Sequence, residues 1–150
     1  MEIQPATSDD FRPVRALLET CGLPHDDLTP AHLEQFFVAR DEAGVVGTVG
    51  LEPCGTAALL RSLAVAPEHR NDGLGARLVD AVERHARDEG LHTLYLLTTT
   101  AADYFDSRGY EYIDRDALPA PIQQTEEAAR LCPASATCMR KVLSPVGDRS

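Results

Sequence analysis

The sequence predicts an α+β fold in which about seven strands form a sheet flanked by helices. One observation is that the spacing of apolar residues changes along the chain, from the runs typical of strands to the four-residue repeat typical of helices. Another is that glycine, proline and short polar clusters separate these segments where turns belong. Together they give the order strand, helix, helix, strand, strand, strand, helix, strand, helix, strand, strand.

The first elements follow from local signals. Residues 2–5 form a short strand, and the polar cluster 7–10 begins a helix that Gly22 ends. Thr29 followed by Pro30 is typical of a helix start and predicts a second short helix that runs toward Phe36.

The middle of the chain predicts a hairpin, a third antiparallel strand and a helix. The hairpin pairs residues 36–40 with 45–51, and residues 57–65 continue the sheet. Residues 73–89 form a helix in which Leu74, Leu78, Val82 and Ala86 share one face.

The last third completes the sheet. It consists of strand 91–97, helix 101–107, strand 110–114, a helical insertion 118–133 and the closing strand 136–143. We expect a single domain over residues 1–143 and a disordered tail over residues 144–150.

Charge and composition exclude several classes of function. The 24 acidic and 14 basic residues give a net charge of −10, which argues against a nucleic-acid partner. The chain has neither a basic apolar leader nor an apolar run of the roughly 20 residues that span a bilayer, so we expect a cytoplasmic protein with no membrane partner. None of the four cysteines forms a C-x-x-C pair, so we expect reduced thiols and no metal.

The run Arg70–Gly75 lies between a predicted strand and a predicted helix. Its two glycines let the backbone come close to a ligand, and the amides of a helix start attract phosphate. The run lacks both the G-x-G-x-x-G of dinucleotide sites and the Gly-Lys-Ser/Thr of nucleoside-triphosphate loops. It predicts a site for another phosphorylated ligand; the alternative is a surface turn.

Residues Leu63–Gly75 resemble the acetyl-coenzyme-A loop of the GNAT family of N-acetyltransferases, and residues 101–110 resemble its second signature, a helix that ends in Gly-aromatic. The resemblance implies a GNAT-like mixed, mostly antiparallel sheet that is splayed between the fourth and fifth strands. It also implies acetyl-CoA as cosubstrate, with its pantetheine arm beside the backbone of Leu63 and Val65. The residues implied for cofactor binding are Leu63, Ala64, Val65, Arg70, Asn71, Asp72, Gly73, Leu74, Gly75, Thr98, Thr99 and Phe105.

The sequence departs from the family pattern at two places. Asn71 and Asp72 stand where the loop usually carries Gly and a Lys, Arg or Gln, so we expect Asp72 to point to water. Phe105 stands where many members have the tyrosine that protonates the leaving thiolate. Tyr104 is the remaining candidate acid, although it lies about 100° away around a helix.

Two regions of the chain narrow the resemblance. Residues 97–101 and 115–141 resemble the N-acetyltransferases associated with arsenic-resistance operons, and Leu97–Ala101 also resembles amino-acid acetyltransferases of the N-acetylglutamate synthase type. Both comparisons imply a small amino-acid-like substrate.

Arg61 is unusual in an apolar strand because a buried arginine needs an anion. Arg61 with Ser62 predicts a site for a substrate carboxylate or phosphinate; the alternative is an internal salt bridge with Glu52 or another acid. Glu52 is a candidate catalytic base. His69 is expected to be a solvent-facing loop residue, and His92 to be structural.

Two further groups of residues each have two possible roles. Thr98, Thr99 and Thr100 could offer hydroxyls near the cofactor sulfur, or only favour the strand and cap the next helix. Cys132 and Cys138 are candidate arsenic contacts, or small core residues.

We expect an acetyl-CoA-dependent N-acetyltransferase that acts on a small amino-acid-like amine, including an arsenic- or phosphorus-containing antimetabolite. The alternatives are a polyamine or protein N-acetyltransferase and a non-catalytic acetyl-CoA or metalloid sensor. Members of the family often dimerise, which leaves a homodimer open.

Overall fold

A computed structural model describes residues 2–70, 72–125, 128 and 135–143. Its seven strands form one mixed sheet in the order β1-β2-β3-β4-β5-β7-β6, which confirms the predicted fold class. The strands are β1 (Ile3–Pro5), β2 (Phe36–Asp41), β3 (Gly44–Cys54), β4 (Ala57–Val65), β5 (Thr93–Thr98), β6 (Glu111–Ile113) and β7 (Thr137–Val142). The α-helices are α1 (Phe11–Thr20), α2 (Leu74–Asp88), α3 (Ala102–Ser107) and α4 (Ala120–Gln123).

The chain divides into two compact units, and the first comprises Met1–Glu52 and Arg61–His85. Its strands β1, β2 and β3 pair antiparallel, with a register shift between Ala39 and Arg40. The helix α2 buries the face that the sequence predicts, and Gly47 of β3 lets it approach closely. A Cβ at Gly47 would lie 3.0 and 3.1 Å from the side chains of Leu78 and Leu74.

Polar contacts fix the start of this unit. The Asp10 carboxylate, just before α1, accepts a hydrogen bond from the Thr7 amide (2.9 Å). Arg40 grips the same carboxylate with two nitrogens, so the buried charge of Asp10 is paired. The second short helix that Thr29 and Pro30 predict is a 3-10 helix over Pro30–Gln35.

The second unit comprises Pro53–Leu60 and Ala86–Ser150. The first part of β4 pairs parallel with β5 over three residue pairs, which end at Leu59 and Tyr95. β7 pairs antiparallel with β5 on one side and with β6 on the other. The core of this unit contains Leu59, Tyr95, Leu97, Leu118, Ile122, Ala128, Ala136 and Cys138.

Part of the predicted C-terminal region lies outside the described residues. Within the insertion 118–133, the structure shows the single-turn helix α4 after Pro119. Residues 126–127, 129–134 and the predicted tail 144–150 are not among the described residues. In the part of the chain that is described, no helix combines the length and the apolar character needed to cross a membrane.

Candidate functional site

The loop after β4 leads into α2 through a left-handed glycine. Gly73 has φ +80°, a conformation that side chains other than glycine adopt at a cost, and α2 begins at the next residue. The Arg77 amide donates to the Gly73 carbonyl (3.1 Å). The amides of the first turn therefore precede the helical hydrogen-bond ladder and suit an anion. Gly75 lies in this turn, and Asn71 is outside the described residues.

His69 fastens this loop to the β2–β3 hairpin. Its Nε2 lies 3.0 Å from Oδ2 of Asp41, and its Nδ1 lies 3.6 Å from Oδ2 of Asp72. The hydrogen bond with His69 holds the pKa of the Asp41 carboxyl below its ordinary value. The prediction of a solvent-facing His69 is wrong, because its side chain is only 19% exposed. Asp72 does point outward as expected, with 56% of its side chain exposed.

Arg70 closes the loop onto the end of β4. Its Nε donates to the Val65 carbonyl (3.1 Å), and its Nη2 donates to Sγ of Cys21 (3.5 Å). The Cys21 thiol donates to the same carbonyl at 3.7 Å. The side chain of Arg70 thus shapes the loop that its backbone belongs to.

The strand β4 is strained next to the predicted cofactor segment. Ser62 has φ +62°, which is unique among the described residues other than glycine, and it is buried. Such a conformation costs about 1–3 kcal/mol and concentrates at functional sites. Beyond it, Ala64 is buried while Leu63 and Val65 are partly exposed, so the alternation of a strand resumes there.

Arg61 lies in an internal ion-pair cluster. Its Nη1 and Nη2 lie 2.6 and 2.8 Å from the two carboxylate oxygens of Asp27. Nη1 also donates to Glu52 (3.1 Å), and Nε donates to Oγ of Ser62 (3.2 Å). The structure therefore shows the internal salt bridge that the sequence left open as the alternative. A substrate role for Arg61 and Ser62 stays a prediction.

Asp27 is the residue of this cluster that sequence reasoning missed. Burial raises the pKa of its carboxyl, but the hydrogen bonds and charge of Arg61 outweigh burial, and the net effect lowers that pKa. Asp27, His32 and Glu52 bring ligand atoms within 4.8 Å of one another, a spacing that could hold a cation. The guanidinium of Arg61 already lies against two of the three, and it supplies the positive charge there.

In the second unit, the threonines after β5 arrange the turn into α3. Oγ1 of Thr98 accepts hydrogen bonds from the amides of Ala101 (2.9 Å) and Thr100 (3.3 Å). These contacts hold the turn, but the N-cap residue of α3 is Ala101, which makes no side-chain capping hydrogen bond, so Thr98 does not cap this helix. Thr99 and Thr100 are exposed.

The aromatic pair of α3 divides into a core residue and a partly exposed one. Phe105 is buried, and its ring packs edge-on against Tyr110 at 5.2 Å between centroids. Tyr104 is half-buried against Phe105, with the Arg108 guanidinium 5.9 Å from its ring centre. A catalytic role for Tyr104 and a cofactor contact for Phe105 stay predictions.

Cys138 lies in the core of the second unit, and burial raises the pKa of its thiol. This environment supports the alternative of a small core residue. Cys132 is outside the described residues. His92 contributes backbone contacts as expected: its amide donates to Thr56, and its carbonyl accepts from the Leu143 amide.

Comparison of the sequence with known proteins identifies relatives of this chain. Residues 32–112 match the family model described as Acetyltransferase (GNAT) domain. Over 90 residues, the chain is 39% identical to an amino-acid acetyltransferase of Pseudomonas putida (strain GB-1) and 38% identical to one of Pseudomonas aeruginosa (strain LESB58). Each match covers 59% of this chain and 21% of the relative, so the matched segment spans about a fifth of these relatives.

Solved structures share the fold. N-acetylglutamate synthase from Neisseria gonorrhoeae, complexed with coenzyme A and L-arginine, matches with a TM-score of 0.80 and 23% identity over 95% of this chain and 33% of that one. Rv2747 from Mycobacterium tuberculosis, in complex with CoA, matches with a TM-score of 0.80 and 20% identity over 96% of this chain and 100% of that one. The glycine-led start of α2 and the family match over more than half of the sequence lead to one conclusion: the chain belongs to the GNAT family of acetyltransferase domains.

Proposed function

We propose that the protein is an acetyl-CoA-dependent N-acetyltransferase that acts on the amine of a small amino-acid-like substrate. The observation that carries the proposal is the left-handed Gly73 at the start of α2, in the loop that follows a strand strained at Ser62. The curated relatives named amino-acid acetyltransferases support the substrate class. A neighbouring fold complexed with coenzyme A and N-acetyl-glutamate supports it as well.

The first unit supplies the groups for the cosubstrate. Backbone amides of Arg70–Gly75 hold the pyrophosphate, since helix-start amides favour anions and Asp72 points away. Backbone groups of Leu63 and Val65 pair with the pantetheine arm. An oriented amide near Val65 that faces the thioester oxygen contributes on the order of 3 kcal/mol to lowering the barrier.

The reaction needs a neutral amine and a leaving thiolate. The amine nitrogen attacks the thioester carbonyl, a C–N bond forms, the C–S bond breaks, and the sulfur gains a proton. Glu52 is the proposed acceptor of the amine proton, because it is the partly exposed carboxylate beside β4. Tyr104 is the proposed donor to the sulfur, and Phe105 has no group that can donate.

The test is coenzyme A release from acetyl-CoA with a panel of amines. The panel contains glutamate, a phosphinothricin-like analogue, an arsenic amino acid, a polyamine and a basic peptide, so that it also resolves the finer substrate class. Products are read by mass, because the four thiols of the chain react with thiol dyes. Acetylation of an amino acid is the expected result. Coenzyme A binding without turnover of any amine would favour a sensor.

One observation favours a second candidate, the acetylation of a polyamine or another cationic amine. Two carboxylates, those of Asp27 and Glu52, contact the guanidinium of Arg61, and among these three described side chains the formal charge is −1. A polyamine as the best substrate in the panel would establish this candidate.

A further inference from the structure

The three side chains of the ion cluster, those of Asp27, Glu52 and Arg61, differ in their exposure to solvent. The side chain of Arg61 is 0% exposed, that of Asp27 is 5% exposed, and that of Glu52 is 24% exposed. A ligand that reaches this cluster from solvent therefore meets Glu52 before it meets the guanidinium.

Asp27 determines what the cluster can bind. Both terminal nitrogens of the Arg61 guanidinium donate to the two carboxylate oxygens of Asp27. An incoming carboxylate would need the same pair of nitrogens, which we call the fork of Arg61. A substrate carboxylate would have to displace a buried, bidentate partner and approach two carboxylates of the same sign. An ammonium group meets the opposite situation, because the three named side chains together carry a formal charge of −1 and Glu52 is the more exposed of the two carboxylates.

Position along the chain ties the cluster to the reaction. Arg61 directly precedes the strained Ser62 and donates to its hydroxyl, and the segment Leu63–Val65 that follows is the one assigned to the pantetheine arm. All of these residues belong to the first unit.

We propose that Asp27 is a positioning residue that makes this point of the site selective for the substrate amine rather than its carboxylate. Asp27 occupies the fork of Arg61, so the substrate ammonium is bound by Glu52. A carboxylate oxygen of Glu52 then takes one proton from the ammonium nitrogen. The neutral amine then attacks the thioester. This inference rests on the proposed function, whose acetyl transfer it serves.

The experiment measures ligand binding by calorimetry on the full chain saturated with coenzyme A. The probes are glutamate, glutarate, which lacks the amine, and n-butylamine, which lacks the carboxylate. The wild-type chain is expected to bind glutamate and n-butylamine and to bind glutarate at least tenfold more weakly. Asp27→Asn is expected to weaken n-butylamine by about tenfold and to strengthen glutarate, because the fork of Arg61 loses its charged partner.

Two further variants separate selectivity from general damage. Glu52→Gln is expected to weaken n-butylamine by about tenfold without strengthening glutarate. Asp26→Asn is the matched control, because this neighbouring carboxylate is 79% exposed, and it is expected to leave all three affinities unchanged. A merely structural Asp27 would weaken every probe alike.

The outcomes are distinct. The inference is overturned if the wild-type chain binds no amine, if it prefers glutarate, or if Asp27→Asn leaves the order of affinities unchanged. If Asp27→Asn does not fold, unchanged amine binding in Glu52→Gln overturns the inference. Amine binding that depends on Glu52 without any turnover supports the inference and refutes the proposed function. Turnover together with amine binding that is unchanged in Glu52→Gln supports the proposed function and refutes the inference.

Discussion

Gly73→Ala is expected to weaken coenzyme A binding, because alanine disfavours the left-handed backbone that position 73 adopts. Gly73 has φ +80°, and a Cβ added there would meet no atom within 4 Å, so only the backbone conformation opposes a methyl group. An L-residue in the left-handed region costs about 1–2 kcal/mol. The loop is exposed here, and we expect it to relax to negative φ when the site is empty. Coenzyme A binding must then restore the left-handed conformation, which raises Kd by about 5–30-fold.

Gly90→Ala is the matched control. Gly90 has φ +78°, and a Cβ there also meets nothing within 4 Å. Its conformation is held by the end of α2, where the Gly90 amide donates to Arg87 (3.0 Å) and the Leu91 amide donates to Ala86 (2.9 Å). The same strain should therefore appear as a loss of about 1–2 kcal/mol in the free energy of unfolding, with no change in coenzyme A affinity.

Calorimetry with coenzyme A and urea unfolding measure the two quantities for both variants. An equal rise of Kd in Gly90→Ala and Gly73→Ala would refute the assignment of the loop to the pyrophosphate. Wild-type Kd together with wild-type stability in Gly73→Ala would refute the strain argument itself.

Three further predictions concern stability and reactivity. Gly50→Ala places a Cβ 2.2 Å from the buried ring of Phe36, and it is expected to cost about 1–3 kcal/mol in urea unfolding. The hydrogen bond from Arg40 keeps the pKa of Asp10 below its ordinary 3.8, so its stabilisation is complete above pH 3.8 and is lost as the pH falls through the lower folded-state pKa. Asp10→Asn is expected to reduce the acid dependence in pH-resolved unfolding curves, while Asp27 and Asp41, whose pKa values are also lowered, retain the remainder. Cys138 is expected to alkylate more slowly than the two partly exposed cysteines described, as mapped by mass spectrometry, because burial raises the pKa of its thiol.

Each of these has a clear contrary result. Unchanged stability of Gly50→Ala would mean that the ring moves aside at no cost. An acid dependence of unchanged size in Asp10→Asn would assign all of it to other carboxylates, among them Asp27. Fast alkylation of Cys138 in the folded chain would return it to the candidate arsenic contacts.

The features predicted correctly from the sequence depend on residues that are close together along the chain. Leu74, Leu78, Val82 and Ala86 are all buried in α2, because a four-residue repeat places side chains on one face of any helix. The glycines before α2 were an equally local signal, and the structure gives Gly73 a left-handed backbone at the start of that helix. The order of helices and strands along the chain followed from locating such segments, whereas the order of strands in the sheet did not.

Of the two carboxylates that contact Arg61, Glu52 was named from the sequence, but Asp27 could not be predicted in the same way. The strand required an anion, but the chain offers 24 acidic residues, and Asp27 lies 34 positions away in a polar stretch. Its neighbour Asp26 is chemically identical and mostly exposed, so no local signal separates them. His69 was missed for a similar reason: its partner Asp41 lies 28 positions earlier, and only the folded loop brings the two together.

The position of β7 also has a consequence for how the chain acquires its structure. Of the seven described strands β7 is made last, yet it lies between β5 and β6, which are made before it. Until Val142 has emerged, β5 presents an open hydrogen-bonding edge and β6 lacks the neighbour it pairs with. Pairing of β7 with β5 therefore joins residues far apart along the chain, the kind of contact that slows folding. During synthesis, that half of the sheet therefore keeps an unpaired strand edge for longer than the β2–β3 hairpin, whose two strands emerge together.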